Sequence, residues 1–329
     1  MSSRRCRFAT AGVILVTAAL VVLAAAPLVG QARPAAAATG VAQQHTPDGR
    51  PDLQGNWSFA TLTPLERPTD LAGKERLTKE EAEEYAKRAV ERNDADRRTP
   101  GTVGDVALAY NDFWYDRGTK TVGTMQTSLI VDPKDGRLPA PTSQGQQAAA
   151  ARAEIRRRNT EGPEERSLAE RCLLFNAGPP LLPGPYNNNL QIVQTKDYVV
   201  IANEMIHDTR VVPLDGRPHL PSNVRHWLGD PRGRWEGDTL VVDSTNFSDK
   251  TAVRGTDRNL HLVERFTRID AETLHYEFTI DDPTAFTKPW TVSLPFARFD
   301  EQIYEYACHE ANYAMEGMLK AARMAEGGR

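Results

Sequence analysis

Residues 260–308, LHLVERFTRIDAETLHYEFTIDDPTAFTKPWTVSLPFARFDEQIYEYAC, contain four consecutive segments in which apolar and polar side chains alternate. Successive side chains of a β-strand point to opposite faces of the sheet, so alternation with period two indicates strands with one buried face. The predicted strands are residues 260–269, 274–281, 290–299 and 302–308. One face of the second strand carries four apolar side chains: Leu274, Tyr276, Phe278 and Ile280.

The first two strands are expected to form a hairpin, because only residues 270–272 join them. Pairing Ile269 with Thr273 places the apolar side chains of both strands on one face. A shift of one residue would mix apolar with polar side chains, which burial of one face disfavours. The preferred register places two pairs opposite each other on the polar face: His261 with Asp281, and Arg265 with Glu277.

Shorter strands are predicted upstream, at residues 190–195, 198–205, 207–214 and 240–243. Residues 230–233 have the Asp, Pro and Gly of a type I turn, and Gly237 marks a second turn. Roughly eight strands with short connections are typical of an antiparallel barrel or sandwich. The fold class is therefore mainly β. Because the strands do not alternate with long helices, a parallel sheet is not expected.

Helices are predicted on both sides of this barrel core, which we assign to residues 183–329. An irregular, partly helical segment, residues 39–182, is expected to pack on it and to contain helices at 78–92 and 143–158 and a strand at 125–131. Thr78 and Glu81 have the spacing of a capping box at the start of the first helix. Residues 310–326 are predicted to form a C-terminal helix.

Residues 1–38 have the composition of a signal peptide. A basic start with Arg4, Arg5 and Arg7 precedes an apolar run, residues 9–29, and small residues follow as cleavage sites. The protein is therefore expected to be periplasmic or secreted. The apolar run is long enough to span a bilayer, so an uncleaved signal anchor is the alternative and the only membrane contact expected.

Removal of residues 1–38 leaves 36 basic and 44 acidic residues, a net charge of −8. Such a surface disfavours a nucleic-acid partner. Two of the three cysteines, Cys172 and Cys308, remain in the exported chain, where an oxidising compartment favours a disulfide between them. Two buried reduced thiols are the alternative.

Several motifs of the chain resemble those of a large group of secreted bacterial proteins, most of which have no assigned reaction. The resemblance is carried by the strings ERCLLFNAGPPLLPGPYNNNLQIVQT, PLDGRPHLP, GRWEGDTLVVDSTNF, LHLVERFTR, TIDDP and YEYACHEANY. It covers nearly all of the exported chain and implies no particular reaction or cofactor. The Gly55-Asn56-Trp57 motif is also similar to lipocalin-like (calycin) barrels, which implies a small apolar ligand or, in a few relatives, lyase, isomerase or cyclase chemistry.

The polar face of the hairpin suggests acid–base chemistry at the mouth of the barrel. His261 would act as the base, Asp281 would orient its imidazole, and Arg265, beside Glu277, would hold an anionic group. His219 or His207 would supply the acid from a facing loop. In the alternative, these residues are ordinary cross-strand pairs on a solvated outer face. The barrel interior would then be lined by Tyr276, Phe278, Trp290 and Phe296.

Five residues are candidate metal ligands, three histidines in one part of the chain and an aspartate pair in another. His207, His219 and His226 could hold a metal if they converged, but their spacing fixes no geometry, so we assign no metal and leave the cofactor unknown. Asp281 and Asp282 could bind calcium, although a turn that uses Asp for backbone hydrogen bonds is the commoner arrangement. The chain has no nucleotide-binding glycine loop, zincin helix or serine elbow.

Two functional classes follow, and a structural or envelope-associated protein with no small ligand is the third possibility. The first is an exported enzyme that processes a small organic molecule by acid–base chemistry of the lyase, isomerase or hydrolase type, in a pocket of the barrel. The second is a lipocalin-like periplasmic protein that binds a small apolar ligand in the barrel interior. Both make a small molecule the expected partner.

Overall fold

The computed structural model describes residues 45–97, 99, 101–102, 111–157, 162–175, 178–250, 253–310 and 312–327. The predicted signal peptide lies outside the described residues. Within these ranges, no helix combines the length and apolar character needed to cross a membrane.

The described chain forms a nearly closed antiparallel barrel of nine strands, with a tenth short strand attached to it. The strands are β1 (Gly55–Ser58), β2 (Ile130–Asp132), β3 (Asn189–Gln194), β4 (Tyr198–Asn203), β5 (Thr209–Pro213), β6 (Asp230–Glu236), β7 (Thr239–Thr245), β8 (His261–Arg268), β9 (Thr273–Asp281) and β10 (Trp290–Arg298). Their order is β5-β4-β3-β1-β10-β9-β8-β7-β6, and β2 pairs with β10. The predicted mainly β antiparallel barrel is therefore confirmed, and the N-terminal segment contributes β1 and β2 to it.

The predicted hairpin register is confirmed. The backbone N–H of Ile269 donates to the carbonyl oxygen of Thr273 at 3.0 Å. His261 faces Asp281 and Arg265 faces Glu277 across the β8–β9 ladder. Burial alternates strictly along both strands, so the apolar face packs inward as the period-two pattern requires.

The predicted strand at residues 302–308 is wrong. Both edges of β10 are already occupied, by β9 on one side and by β1 and β2 on the other, so the chain leaving Arg298 cannot form a hairpin with β10. Residues 299–308, which we call the strap, run instead outside the ladder. The N–H of Tyr304 donates to the Glu204 carboxylate at 3.1 Å. Tyr306 stacks on Tyr186 with a centroid separation of 6.2 Å.

The predicted turn at residues 230–233 is also wrong, because these residues begin β6 and pair with β7 from Asp230 onward. β6 is the last strand of the ladder, and an edge strand tolerates Pro231, whose nitrogen carries no hydrogen to donate. The turn at Gly237 is confirmed, with φ +60°. The predicted strand at 207–214 shortens to β5, and the predicted strand at 125–131 is replaced by β2, which begins at Ile130 and ends one residue later than predicted.

Three helices complete the described chain: α1 (Lys79–Asn93), α2 (Ser143–Arg157) and α3 (Tyr313–Gly327). The capping box of α1 is confirmed, since Thr78 Oγ1 accepts from the N–H of Glu81 and the Glu81 carboxylate accepts from the N–H of Thr78. Helix α2 is capped by Thr142, the residue before its first helical position. Thr142 Oγ1 accepts from the N–H of Gly145 at 2.9 Å.

The barrel interior is an aromatic core. Its largest fully buried side chains include Trp57, Phe266, Tyr276, Phe278, Trp290 and Phe296. The ring of Tyr276 lies 4.8 Å from that of Phe266 and 5.0 Å from that of Phe296, measured between centroids. The rings that the sequence suggested as a lining therefore pack against one another.

A buried ion pair crosses this core. Arg210 of β5 donates to both carboxylate oxygens of Glu264 on β8, at 2.5 and 3.0 Å, and the two side chains are 1% and 0% exposed. The hydroxyl of Tyr276 donates to the same carboxylate at 2.7 Å and accepts from the N–H of Leu181. Burial alone would lower the pKa of Arg210, but the charge and hydrogen bonds of Glu264 raise it above its ordinary value.

The two ends of the ladder, β5 and β6, meet through a glycine. A Cβ atom on Gly233 of β6 would lie 2.6 Å from a methyl carbon of Leu214 and 2.8 Å from one of Val212. A larger residue at this position would crowd the side chains at the β5 end. The two strands therefore pack closely here, and no described ladder joins them.

The predicted disulfide is confirmed: Cys172 and Cys308 are bonded across 136 residues of sequence. It joins the segment that precedes β3 to the strap that follows β10. Within the described structure, the disulfide therefore anchors the strap, which no strand pairing holds in place.

Replacing Glu264 with Gln should destabilise the protein by about 3–5 kcal/mol, because Arg210 would remain buried without a counter-charge. Urea unfolding followed by fluorescence measures the change. The control is Glu277→Gln on the outer face of β9, for which we expect less than about 0.5 kcal/mol. Equal losses in the two variants would contradict the role assigned to the buried pair.

The double variant Cys172→Ser/Cys308→Ser should lower the free energy of unfolding by about 3–5 kcal/mol, because the bond closes a long loop in the unfolded chain. Reduction of the unmodified protein should produce the same loss, and the double variant should not respond to reductant. If the double variant were as stable as the oxidised protein, the disulfide would contribute nothing to stability and the other contacts of the strap would hold it.

Candidate functional site

The predicted site residues of β8 and β9 lie on the outer face of the barrel. His261, Arg265, Glu277 and Asp281 occupy the partly exposed positions of strands whose alternate residues are buried. This is the arrangement of the solvated outer face that the sequence left as the alternative. Any chemistry of these residues therefore takes place on the barrel wall, outside the aromatic core.

His261 is hydrogen-bonded to Asp243 of β7, and not to Asp281. Its Nε2 atom lies 3.1 Å from each oxygen of the Asp243 carboxylate. Asp243 faces Val263 in the ladder, two residues along β8 from His261, so the two side chains are diagonal neighbours on the same face. Asp243 is not among the predicted site residues, because it lies on β7, on the side of β8 away from β9. The alternation in GDTLVVD nevertheless places it on the outer face.

His219, in the connection between β5 and β6, joins the same carboxylate. Its Nε2 atom lies 3.2 Å from Asp243 Oδ1, and its Nδ1 atom lies 3.2 Å from Asp230 Oδ2. The N–H of Leu220 donates to Asp230 at 2.8 Å, which fixes the loop to the start of β6. We call Asp230, His219, Asp243 and His261 the acid–base array.

The array perturbs the titration of its members. The hydrogen bond to Asp243 raises the pKa of His261; burial opposes this shift, and the negative charges of Asp243 and Asp281 add to it. The same hydrogen bond lowers the pKa of Asp243. Burial alone would raise the pKa of Asp230, but the N–H of Leu220, Arg232 and His219 together bring it below the ordinary value.

His261 has the most exposed side chain of the array. Its side chain is 43% exposed, and the bond to Asp243 uses Nε2. Among the described residues Nδ1 has no hydrogen-bond partner. When Nε2 carries the proton donated to Asp243, Nδ1 has a free lone pair and can accept a proton from solvent or substrate.

Arg265 and Glu277 form a separate region of the same face. Arg265 donates to Glu236 of β6 at 2.9 Å, and not to Glu277. Four residues along a strand span about 13 Å, so Arg265 cannot contact the atoms on which His261 would act. The four predicted residues of the hairpin therefore form two separate regions. Only the region around His261 combines a carboxylate, Asp243, with a second histidine, His219.

His207 does not join the array within the described chain. It is exposed, with φ +48°, at the end of a short 3-10 turn between β4 and β5. Burial raises the pKa of the neighbouring Asp208 to about 6, and the charge of His207 opposes the shift. One oxygen of the Asp208 carboxyl is buried without a described partner.

No group of three or more His, Cys, Asp and Glu side chains within the described ranges is arranged to hold a metal ion. His226 is exposed, and its backbone N–H donates to Asn246. Asp282, considered above for calcium, accepts from the N–H groups of Thr284 and Ala285 at 3.0 and 3.2 Å. Asp282 therefore holds a turn, as the commoner interpretation predicted.

Comparisons with known proteins add little. No family model matches the chain, and no curated protein sequence matches it. Among solved structures, it is similar to a crystal structure of a mutant of the fluorescent protein UnaG, with 15% identity, a TM-score of 0.23, and coverage of 34% of this chain and 72% of that chain. The fold assignment therefore rests on the strand order and register, and the motif resemblance stays a prediction.

Replacing Asp208 with Asn should stabilise the protein at neutral pH. A carboxyl whose pKa is about 6 when folded, against an ordinary value of 3.8, loses its proton more readily in the unfolded chain, so stability falls as pH rises from about 4 to about 6. The variant lacks this loss and should gain about 1–3 kcal/mol at pH 7.5, with little gain at pH 4.

Unfolding by urea at several pH values measures this difference. Asp238→Asn, in the exposed turn between β6 and β7, is the control and should show no such pH-dependent gain. A constant difference between Asp208→Asn and the unmodified protein from pH 4 to 7.5 would contradict the raised pKa.

Proposed function

We propose that the protein is an exported enzyme that moves a proton on a small organic molecule, with His261 as the base. The observation that supports this most is the position of the Asp243 carboxylate, within 3.2 Å of Nε2 of both His261 and His219. A carboxylate that orients an imidazole and stabilises its protonated form is the recurrent arrangement of histidine bases. The disulfide supports an oxidising compartment.

In the proposed reaction His261 Nδ1 takes a proton from the substrate, and the resulting imidazolium remains hydrogen-bonded to Asp243 through Nε2. His219 acts as a positioning residue, because both of its ring nitrogens are directed at carboxylates and it can hold Asp243 toward His261. The negative charge of Asp281, opposite His261, further favours the protonated ring. The class of chemistry is proton abstraction, as in a lyase or isomerase, or activation of water in hydrolysis.

The binding function suggested by the sequence has less support. It needs space among the aromatic side chains of the interior, and the rings of Phe266, Tyr276 and Phe296 lie at contact distance from one another. The charged pair Arg210–Glu264 occupies the same interior. A ligand on the outer face, beside His261, requires no rearrangement of this core.

Replacing Asp243 with Asn should lower the pKa of His261 toward the ordinary value of 6.5, because the amide removes the charge and the strong acceptor. NMR titration of the imidazole protons measures this without a substrate. His275→Gln, an outward-facing residue that instead contacts Ser293, is the control and should leave the His261 titration unchanged.

The catalytic role is tested by incubating the protein in D₂O with a library of small carbonyl compounds and esters, and detecting deuterium exchange or hydrolysis by NMR. His261→Ala should reduce any turnover by about 10²-fold or more, with a nearly unchanged melting temperature. Full activity in His261→Ala would remove this histidine from the mechanism. An unshifted His261 pKa in Asp243→Asn would remove the carboxylate.

A further inference from the structure

A groove with a volume of about 350 Å³ lies in the N-terminal part of the described chain, between the segment that precedes α1 and the turn that follows β2. It shares no residue with the acid–base array. Eight residues line it: Arg67, Pro68, Ala72, Gly73, Glu75, Lys134, Asp135 and Arg137. Its volume is within the range of small-molecule sites.

Arg67 is the unusual member of this lining, because only 5% of the residue is exposed. Its Nε atom donates to Thr127 Oγ1 at 2.8 Å, and its Nη1 atom donates to the carbonyl oxygen of Lys134 at 3.0 Å. Among the described residues, no carboxylate oxygen lies within 4.0 Å of a guanidinium nitrogen of Arg67, the distance that defines an ion pair. The Nη2 atom of Arg67 has no hydrogen-bond acceptor among them. Burying a guanidinium without a counter-charge is unfavourable unless an anion is supplied from elsewhere.

Gly136 holds the backbone against this guanidinium. It has φ +69°, and a Cβ atom there would lie 3.1 Å from Arg67 Cζ. The carbonyl oxygen of Gly136 accepts from the N–H of Arg67 at 2.8 Å. The turn after β2 therefore packs against the guanidinium, and two donors of Arg67, a residue that lines the groove, are already held by Thr127 and Lys134.

Two further cations, Lys134 and Arg137, line the groove, and neither forms an ion pair with a described carboxylate. The lining also includes Glu75 and Asp135. Asp135 accepts from the backbone N–H of Arg137 at 3.1 Å and so shapes the turn. Three cations against two carboxylates make the groove locally positive on a chain whose net charge is negative.

We infer that this groove binds a small oxyanion, a carboxylate or a phosphate ester, through Arg67 with Lys134 and Arg137. The fork of Arg67 would donate hydrogen bonds to the anion, and the two flanking cations would add charge without needing fixed geometry. The inference does not depend on the acid–base array, so a failure of either proposal leaves the other unchanged.

The experiment measures the binding of inorganic phosphate and of succinate to the purified protein by calorimetry and by the shift in melting temperature, at constant ionic strength. We expect saturable binding of at least one anion, and the stronger of the two identifies a phosphate or a carboxylate as the preferred group. Glycerol is the neutral probe and should produce no saturable signal. Bound anion stabilises the folded state and raises the melting temperature.

Arg67→Gln should weaken binding about tenfold or more, because the charge-assisted hydrogen bonds are lost. Lys134→Gln/Arg137→Gln keeps the buried hydrogen bonds of the Arg67 side chain and should also weaken binding, and it carries the test if Arg67→Gln does not fold. Lys87→Gln, an exposed cation of α1, is the control for net charge and should bind normally.

Two results would overturn the inference. One is the absence of saturable binding for both phosphate and succinate. The other is an equal loss of affinity in Lys87→Gln and in the groove variants, which would show a general charge effect and no specific site.

Discussion

The contact between Arg210 and Glu264 is the interaction on which the barrel depends. Arg210 belongs to β5, at one end of the strand ladder, and Glu264 belongs to β8, near the other end. No described ladder joins β5 to β6, so the sheet closes through side chains: the ion pair crosses the interior and Gly233 admits Leu214 at the seam. Because neither charge is solvated, either residue alone would be strongly unfavourable, and the pair commits both strands to one arrangement.

A filled, charged interior has a direct consequence for function. The aromatic rings and the ion pair occupy the space in which many barrels hold a ligand, and the strict alternation of β8 and β9 then sends every second side chain outward. The proposed chemistry therefore belongs to the outer wall, where two strands and a loop bring His261, Asp243 and His219 together. A half-exposed site of this kind keeps its histidine near water, so its titration is set by the carboxylate beside it more than by burial.

The hairpin register was predictable because it depends on local alternation and a three-residue loop, both visible in the chain. The disulfide was predictable from the cysteine count. The partner of His261 was not, because the choice between Asp281 and Asp243 depends on which strand lies on the other side of β8, and sheet order is a non-local property. Residues 302–308 have the alternation of a strand and still do not form one, since β10 has no free edge. Periodicity reports the faces of a segment and not whether a neighbour is available.

The side chains of Arg210 and Arg67 are both buried in this protein, and the unfavourable burial of their charge is compensated differently in each. Arg210 faces a carboxylate with two hydrogen bonds, so its charge is neutralised within the fold and serves to close it. Arg67 is held by a hydroxyl and a carbonyl oxygen, which satisfy donors but supply no negative charge. A guanidinium that is buried, oriented by a glycine turn and open to a groove is better explained by a charge that arrives with a ligand.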